Sequence, residues 1–112
     1  MMDDRVYLLH VQDAIAQIMT YAKSGEADFR ANRQIQDAVI RNFEIIGEAV
    51  KHVSSELRSK HPEIPWKQIA GMRDEMIHEY FGVDLAIVWD TIQKDLPKLK
   101  QTIDRFLSEA KG

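Results

Sequence analysis

Apolar residues in this chain recur every three or four positions through three long stretches, and nowhere in strict alternation. Leu8, Val11, Ile15, Ile18 and Ala22 form the first stripe. Ile35, Val39, Phe43, Ile46, Val50 and Val53 form the second. Leu85, Val88, Ile92, Leu96, Leu99, Ile103 and Phe106 form the third. Side chains spaced this way line one face of an α-helix and must be buried against another such face. The stops between the stripes agree. Ser24-Gly25 closes the first helix, and Asn32 is a suitable N-cap for the second. His61-Pro62-Glu63-Ile64-Pro65 is the clearest break. Pro65 suits the first turn of a short helix carrying Trp66 and Ile69 up to Gly71. Asp84 can cap the last helix, with Val83 and Val88 placed as a hydrophobic staple. Pro97 predicts a kink or break inside that helix. Gly47 falls mid-stripe, where it costs about 1 kcal/mol relative to alanine; close approach of another helix would explain it. These patterns predict an all-α protein, a small up-and-down bundle of four to five helices.

The 112 residues suit one domain, 1–112, with a modest core. With no cysteine, disulfides, zinc–thiolate sites and thiol chemistry are excluded. The N-terminus Met1-Met2-Asp3-Asp4-Arg5 is acidic and has no apolar segment of the secretory kind, and no apolar run approaches the span of a bilayer. A cytoplasmic location without membrane attachment is the expectation. Net charge is −3, which argues mildly against a whole-surface nucleic-acid binder. Residues 51–73 run the other way, with Lys51, Arg58, Lys60, Lys67 and Arg73 against Glu56 and Glu63. Scattered charge on a solvated loop accounts for that excess as well as a ligand does.

The reactive residues gather in Arg73-Asp74-Glu75-Met76-Ile77-His78-Glu79-Tyr80. Arginine holds a phosphate with a planar fork of donors and stays charged at any working pH. Histidine exchanges a proton near neutrality. RNA carries a 2′-hydroxyl beside each phosphate, so a base for that hydroxyl and a cation on the phosphate oxygens suffice for cleavage without a metal. On a helix, Arg73 and Tyr80 share a face, whereas Arg73 and His78 are rotated by roughly 140°. A two-fold dimer would bring both pairs around one cleft. The plain alternative is local ion pairing of Arg73 with Glu75 or Glu79, and a half-buried Tyr80.

Two stretches of the chain resemble a known family. Pro65-Trp66-Lys67-Gln68-Ile69-Ala70-Gly71-Met72-Arg73, running on through Tyr80-Phe81, is similar to the signature of the HepT family, HEPN-domain toxins of prokaryotic toxin–antitoxin pairs. Ala38-Val39-Ile40-Arg41-Asn42-Phe43-Glu44-Ile45-Ile46-Gly47-Glu48-Ala49 resembles that family's second helix. The resemblance extends over most of the chain and implies an all-α HEPN bundle, a homodimer, and a metal-independent endoribonuclease that needs no cofactor. It implies that Arg73 binds and polarises the phosphate, that His78 is the general acid/base, and that Asp74 orients the active groups. It also implies that Tyr80 accepts AMP from ATP through a cognate MntA-type nucleotidyltransferase. AMP at that rim would add charge and bulk where RNA phosphates enter. The alternative is a non-catalytic helical module that docks a nucleotidyltransferase.

Other conspicuous residues have structural readings. Met19, Met72 and Met76 suit core filling. Trp66 and Trp89 suit packing, although Trp66 beside the basic segment could touch a base. Glu44 and Glu48 are one turn apart and read better as an ion-paired face than as a carboxylate pair; one of them could meet Arg73. His10, His52 and His61 lack metal-ligand spacing.

Overall fold

The computed structural model describes residues 3–71 and 85–110. Every regular element among them is a helix: α1 (Asp4–Ala22), α2 (Glu26–Ala31), α3 (Arg33–Lys51), α4 (Ser55–Lys60), α5 (66–71) and α6 (Leu85–Ala110). The architecture is the all-α one that the stripes predict.

Capping sets the starts. Asp3 accepts from the Val6 N–H at 3.2 Å, and Asn32 accepts from Gln34 and Ile35 at 2.9 and 3.2 Å. Ser54 accepts from Leu57 at 3.1 Å. Each satisfies a backbone donor left without an intrahelical partner in the first turn. Ser54 also donates through its N–H and hydroxyl to the Asp4 carboxylate, so the cap of α4 is tied to the start of α1. Between α1 and α2 the chain turns at Gly25, whose φ is +98°. L side chains rarely adopt that conformation.

The three long helices carry the core. The start of α1 lies beside the end of α3 through Asp4 and Ser54, and beside the end of α6, where Arg5 donates to the Leu107 carbonyl at 3.3 Å. One turn and more further along, Gln12 donates to Asp104 at 2.8 Å. Helix α1 is therefore antiparallel to both α3 and α6. Leu8, Val11, Ile15 and Ile18 of α1 meet Val39, Phe43, Ile46 and Val50 of α3 and Val88, Ile92, Leu96, Leu99 and Ile103 of α6, all buried. Gly47 is buried within α3.

Four features depart from the pattern reading. Six helical segments are present among the described residues, because α2 and α4 are six-residue helices too short to show a repeat. Phe29 of α2 is nonetheless fully buried. At the end of α6, Leu107 takes the core position, while Phe106 is only partly buried and meets His61 edge-on at 5.9 Å. Finally, α6 does not break at Pro97. Pro97 and Gln93 both lie on the exposed face, so the Gln93 carbonyl that loses its helical donor faces water rather than the core. The expected cap at Asp84 and staple residue Val83 lie outside the described residues. No helix of the described residues is long and apolar enough to cross a membrane.

Candidate active-site frame

Arg73, Asp74, His78 and Tyr80 lie outside the described residues, as do Met72 and Met76. What the structure gives is the frame on either side of them. On the N-terminal side, Ile64, Trp66 and Ile69 are all buried and anchor α5 to the core. The Trp66 indole N–H donates to the His61 carbonyl at 2.9 Å, and the Ile64 N–H donates to the same oxygen at 3.2 Å. Trp66 is thus a packing anchor with its one polar atom spent, and only 8% of it is exposed. On the C-terminal side α6 begins at Leu85, which packs partly into the core, and Val88 is buried. Ile87 between them is 64% exposed.

A groove of about 750 Å³ lies between these two sides. Lys67, Gln68 and Gly71 of α5 border it, with Ile87, Thr91, Asp95 and Lys98 of α6 opposite and Phe43 and Ile46 of α3 beneath. Two carboxylates, Glu63 and Asp95, stand in its wall. Glu63 is held below the usual carboxylate range by a backbone N–H and by His61, whose Nδ1 is 3.2 Å away. Asp95 acts on Lys94, whose ammonium is raised chiefly by its 2.9 Å pair with Asp90. Lys67 and Lys98 of its wall are exposed.

A second, smaller groove of about 390 Å³ runs between α1 and α3, lined by Tyr7, His10, Arg41, Glu44, Glu48 and His52. Its charges face one another: Arg41 to Glu44 at 3.3 Å and His52 to Glu48 at 3.5 Å. Glu44 and Glu48 are the ion-paired face their spacing suggests. The Tyr7 and His52 rings stack at 5.1 Å with planes 14° apart, a contact between α1 and the end of α3 that periodicity does not signal. Trp89 packs on Phe29 at 5.4 Å, as an anchor should, and Met19 packs partly against the core. Within the basic stretch, Lys60 pairs with Glu56 across one helical turn at 3.4 Å. Among the described residues no three side chains of His, Asp or Glu gather as a metal site would require.

A helical bundle of this kind, with an arginine–histidine motif in the sequence between α5 and α6, defines a class of small all-α proteins. Comparison with known proteins makes the assignment specific. The HepT-like family model, described as ribonuclease HepT-like, matches residues 11–106, so the chain belongs to that family of ribonucleases. A Thermococcus cleftensis protein named as a ribonuclease HepT is 42% identical over 89% of this chain and 92% of its own length. A protein of Caldanaerobacter subterraneus subsp. tengcongensis named as an RNase is 43% identical over 96% of each chain. A Methanocaldococcus jannaschii protein named as a γ-glutamylcyclotransferase and RNase is 47% identical over 96% of this chain, which spans only 49% of that relative. No solved structure matches the chain.

Proposed function

We propose that this chain is the ribonuclease toxin of a toxin–antitoxin pair, cleaving RNA without a metal at a site shared by two copies. Its carrying observation is that the family match spans residues 11–106 and so takes in the whole motif from Arg73 to Tyr80. Names given to the relatives are those of RNases. In this reading Arg73 neutralises the phosphate. His78 removes the 2′-hydroxyl proton and later protonates the leaving oxygen. Asp74 orients the active groups. The helical offset of Arg73 and His78 favours a composite site in a homodimer.

Cleavage of RNA by the purified protein, beside Arg73→Ala and His78→Ala, tests the reading. Loss of a general acid–base should lower the rate by about 10²–10⁴-fold, and chelation of metals should leave the wild-type rate unchanged. Cleavage that survives both substitutions would place the activity elsewhere. A protein that elutes as a monomer at micromolar concentration would count against the shared site.

Silencing is the second part. Tyr80 receives AMP from ATP through a cognate nucleotidyltransferase, and the added negative charge repels RNA phosphates. Intact-mass measurement should show AMP-sized increments on the wild type and none on Tyr80→Phe. Increments that persist would move the acceptor to Tyr7, Tyr21 or another side chain. Tyr21, 40% exposed, is more accessible than the half-buried Tyr7. A nucleotidyltransferase encoded by the neighbouring gene would support the pairing.

A further inference from the structure

We infer that two copies of this chain meet α3 against α3, running in opposite directions about a two-fold axis beside Ile45, with Arg41 of each copy on Glu48 of the other. This rests on the homodimer of the proposed function and adds to it the surface by which the copies meet.

Helical geometry is the first argument. Arg41 and Glu48 are seven residues apart on α3, close to two full turns, so they leave the helix in nearly the same direction, about 10 Å apart. Both turn away from the core: the Arg41 side chain is 71% exposed and that of Glu48 is 52% exposed. Ile45 lies between them along the same face and is only partly buried, whereas Val39, Phe43, Ile46 and Val50 fill the core from the opposite face.

Charge order is the second. Turning the helix end over end about the midpoint of Arg41 and Glu48 exchanges the two positions, so arginine meets glutamate once on each side of the axis. The same operation sets Asp37 opposite His52, which stand equally far from that midpoint. Competing registers fail. Sliding the helices until Lys51 faces Arg41 would set Glu44 against Glu48, like charge on like in both pairs. A parallel pairing would set every charge against its own copy. The stripe is thus its own complement in one antiparallel register, and a second copy of the chain is the partner that carries that complement.

Local contacts agree with this arrangement. Arg41 lies 3.3 Å from Glu44, and a guanidinium has five N–H donors, so it can keep that carboxylate and take Glu48 of the second copy as well. His52, stacked on Tyr7, stands 3.5 Å from Glu48. Ile45 and Ala49 form the α3 wall of the groove shared with α1. Ile45 is therefore on the α1 side of the stripe, and the two-fold sets it against Ile45 of the second copy. An apolar contact at the axis with charged pairs outside it is the usual anatomy of an interface between proteins.

Charge reversal tests the inference, read by sedimentation equilibrium of the full chain with folding followed by circular dichroism. Arg41→Glu and Glu48→Arg should each weaken self-association by about 10²-fold, because two attractive pairs become two repulsive ones. An equimolar mixture of the two variants should dimerise again, since both pairs are then attractive, and so should the double variant Arg41→Glu/Glu48→Arg. A variant that had merely misfolded would not be rescued by mixing. Lys23→Glu, at the end of α1, should change nothing. Single reversals that remain dimeric would overturn this face and leave the homodimer intact. Reversals that abolish the dimer without recovery in the mixture would overturn the two-fold pairing. A wild type that stays monomeric at every concentration would instead remove the homodimer on which the inference rests.

Discussion

Replacing Trp66 by phenylalanine measures how firmly α5 is held to the core. Two contributions are lost. The indole N–H no longer donates to the His61 carbonyl. That oxygen keeps the Ile64 N–H at 3.2 Å, so it is not orphaned, and the loss is that of an ordinary hydrogen bond, about 1 kcal/mol. The ring also shrinks. Two buried carbon atoms disappear with the nitrogen, worth about 1.6 kcal/mol at about 0.8 kcal/mol for each. The sum is about 2.5 kcal/mol. For a domain of this size, about 4–8 °C per kcal/mol converts to a fall in melting temperature of about 10–20 °C. Thermal unfolding followed by circular dichroism at a fixed protein concentration reads it directly, because any self-association makes the midpoint concentration-dependent. Trp66→Ala should cost more, about 3–5 kcal/mol. A loss below about 0.5 kcal/mol for the phenylalanine variant would refute the anchoring role. So would equal losses for both variants, since the remaining phenyl ring would then be contributing nothing.

Three further outcomes follow from the same geometry. Gly25→Ala meets no atom within 4 Å, so its cost is backbone strain alone at φ +98°, about 1–3 kcal/mol by urea unfolding; a neutral result would mean the turn relaxes. Phe29→Ala should cost about 3–5 kcal/mol, since the ring is fully buried against Trp89, and more than Phe106→Ala at a partly buried site; the reverse order would sink this view of α2. The Asp104 carboxyl is held below its usual range, first by Lys100 at 2.6 Å and then by Gln12. A depressed folded-state value means its contribution is present above the unfolded value and disappears as pH falls through the folded one. Wild type should therefore lose its advantage over Asp104→Asn on acidification below the carboxylate range, and parallel pH curves would exclude the link.

Legibility in the sequence tracked length and locality. The three long helices announced themselves because a stripe of five to seven apolar residues leaves few other ways to hide that face, as Val39, Phe43, Ile46 and Val50 illustrate. Helices α2 and α4 did not, because six residues give a single buried side chain each, Phe29 and Leu57, and one point has no period. Pro97 misled for a related reason. Its missing donor is a local fact, but whether that breaks a helix depends on whether the freed Gln93 carbonyl meets water or core, which tertiary placement decides. The candidate site was readable as residue types and offsets, an arginine and a histidine five apart. The groove between α5 and α6 was not. Lys67 and Lys98 are far apart in the chain, and Lys67 stands only four residues from Glu63, which a reader of charge alone would pair with it. Only folding shows that Glu63 is turned to His61 and that the two lysines face one groove. Residue types and offsets are thus written locally, whereas the groove is a property of how α5 and α6 pack.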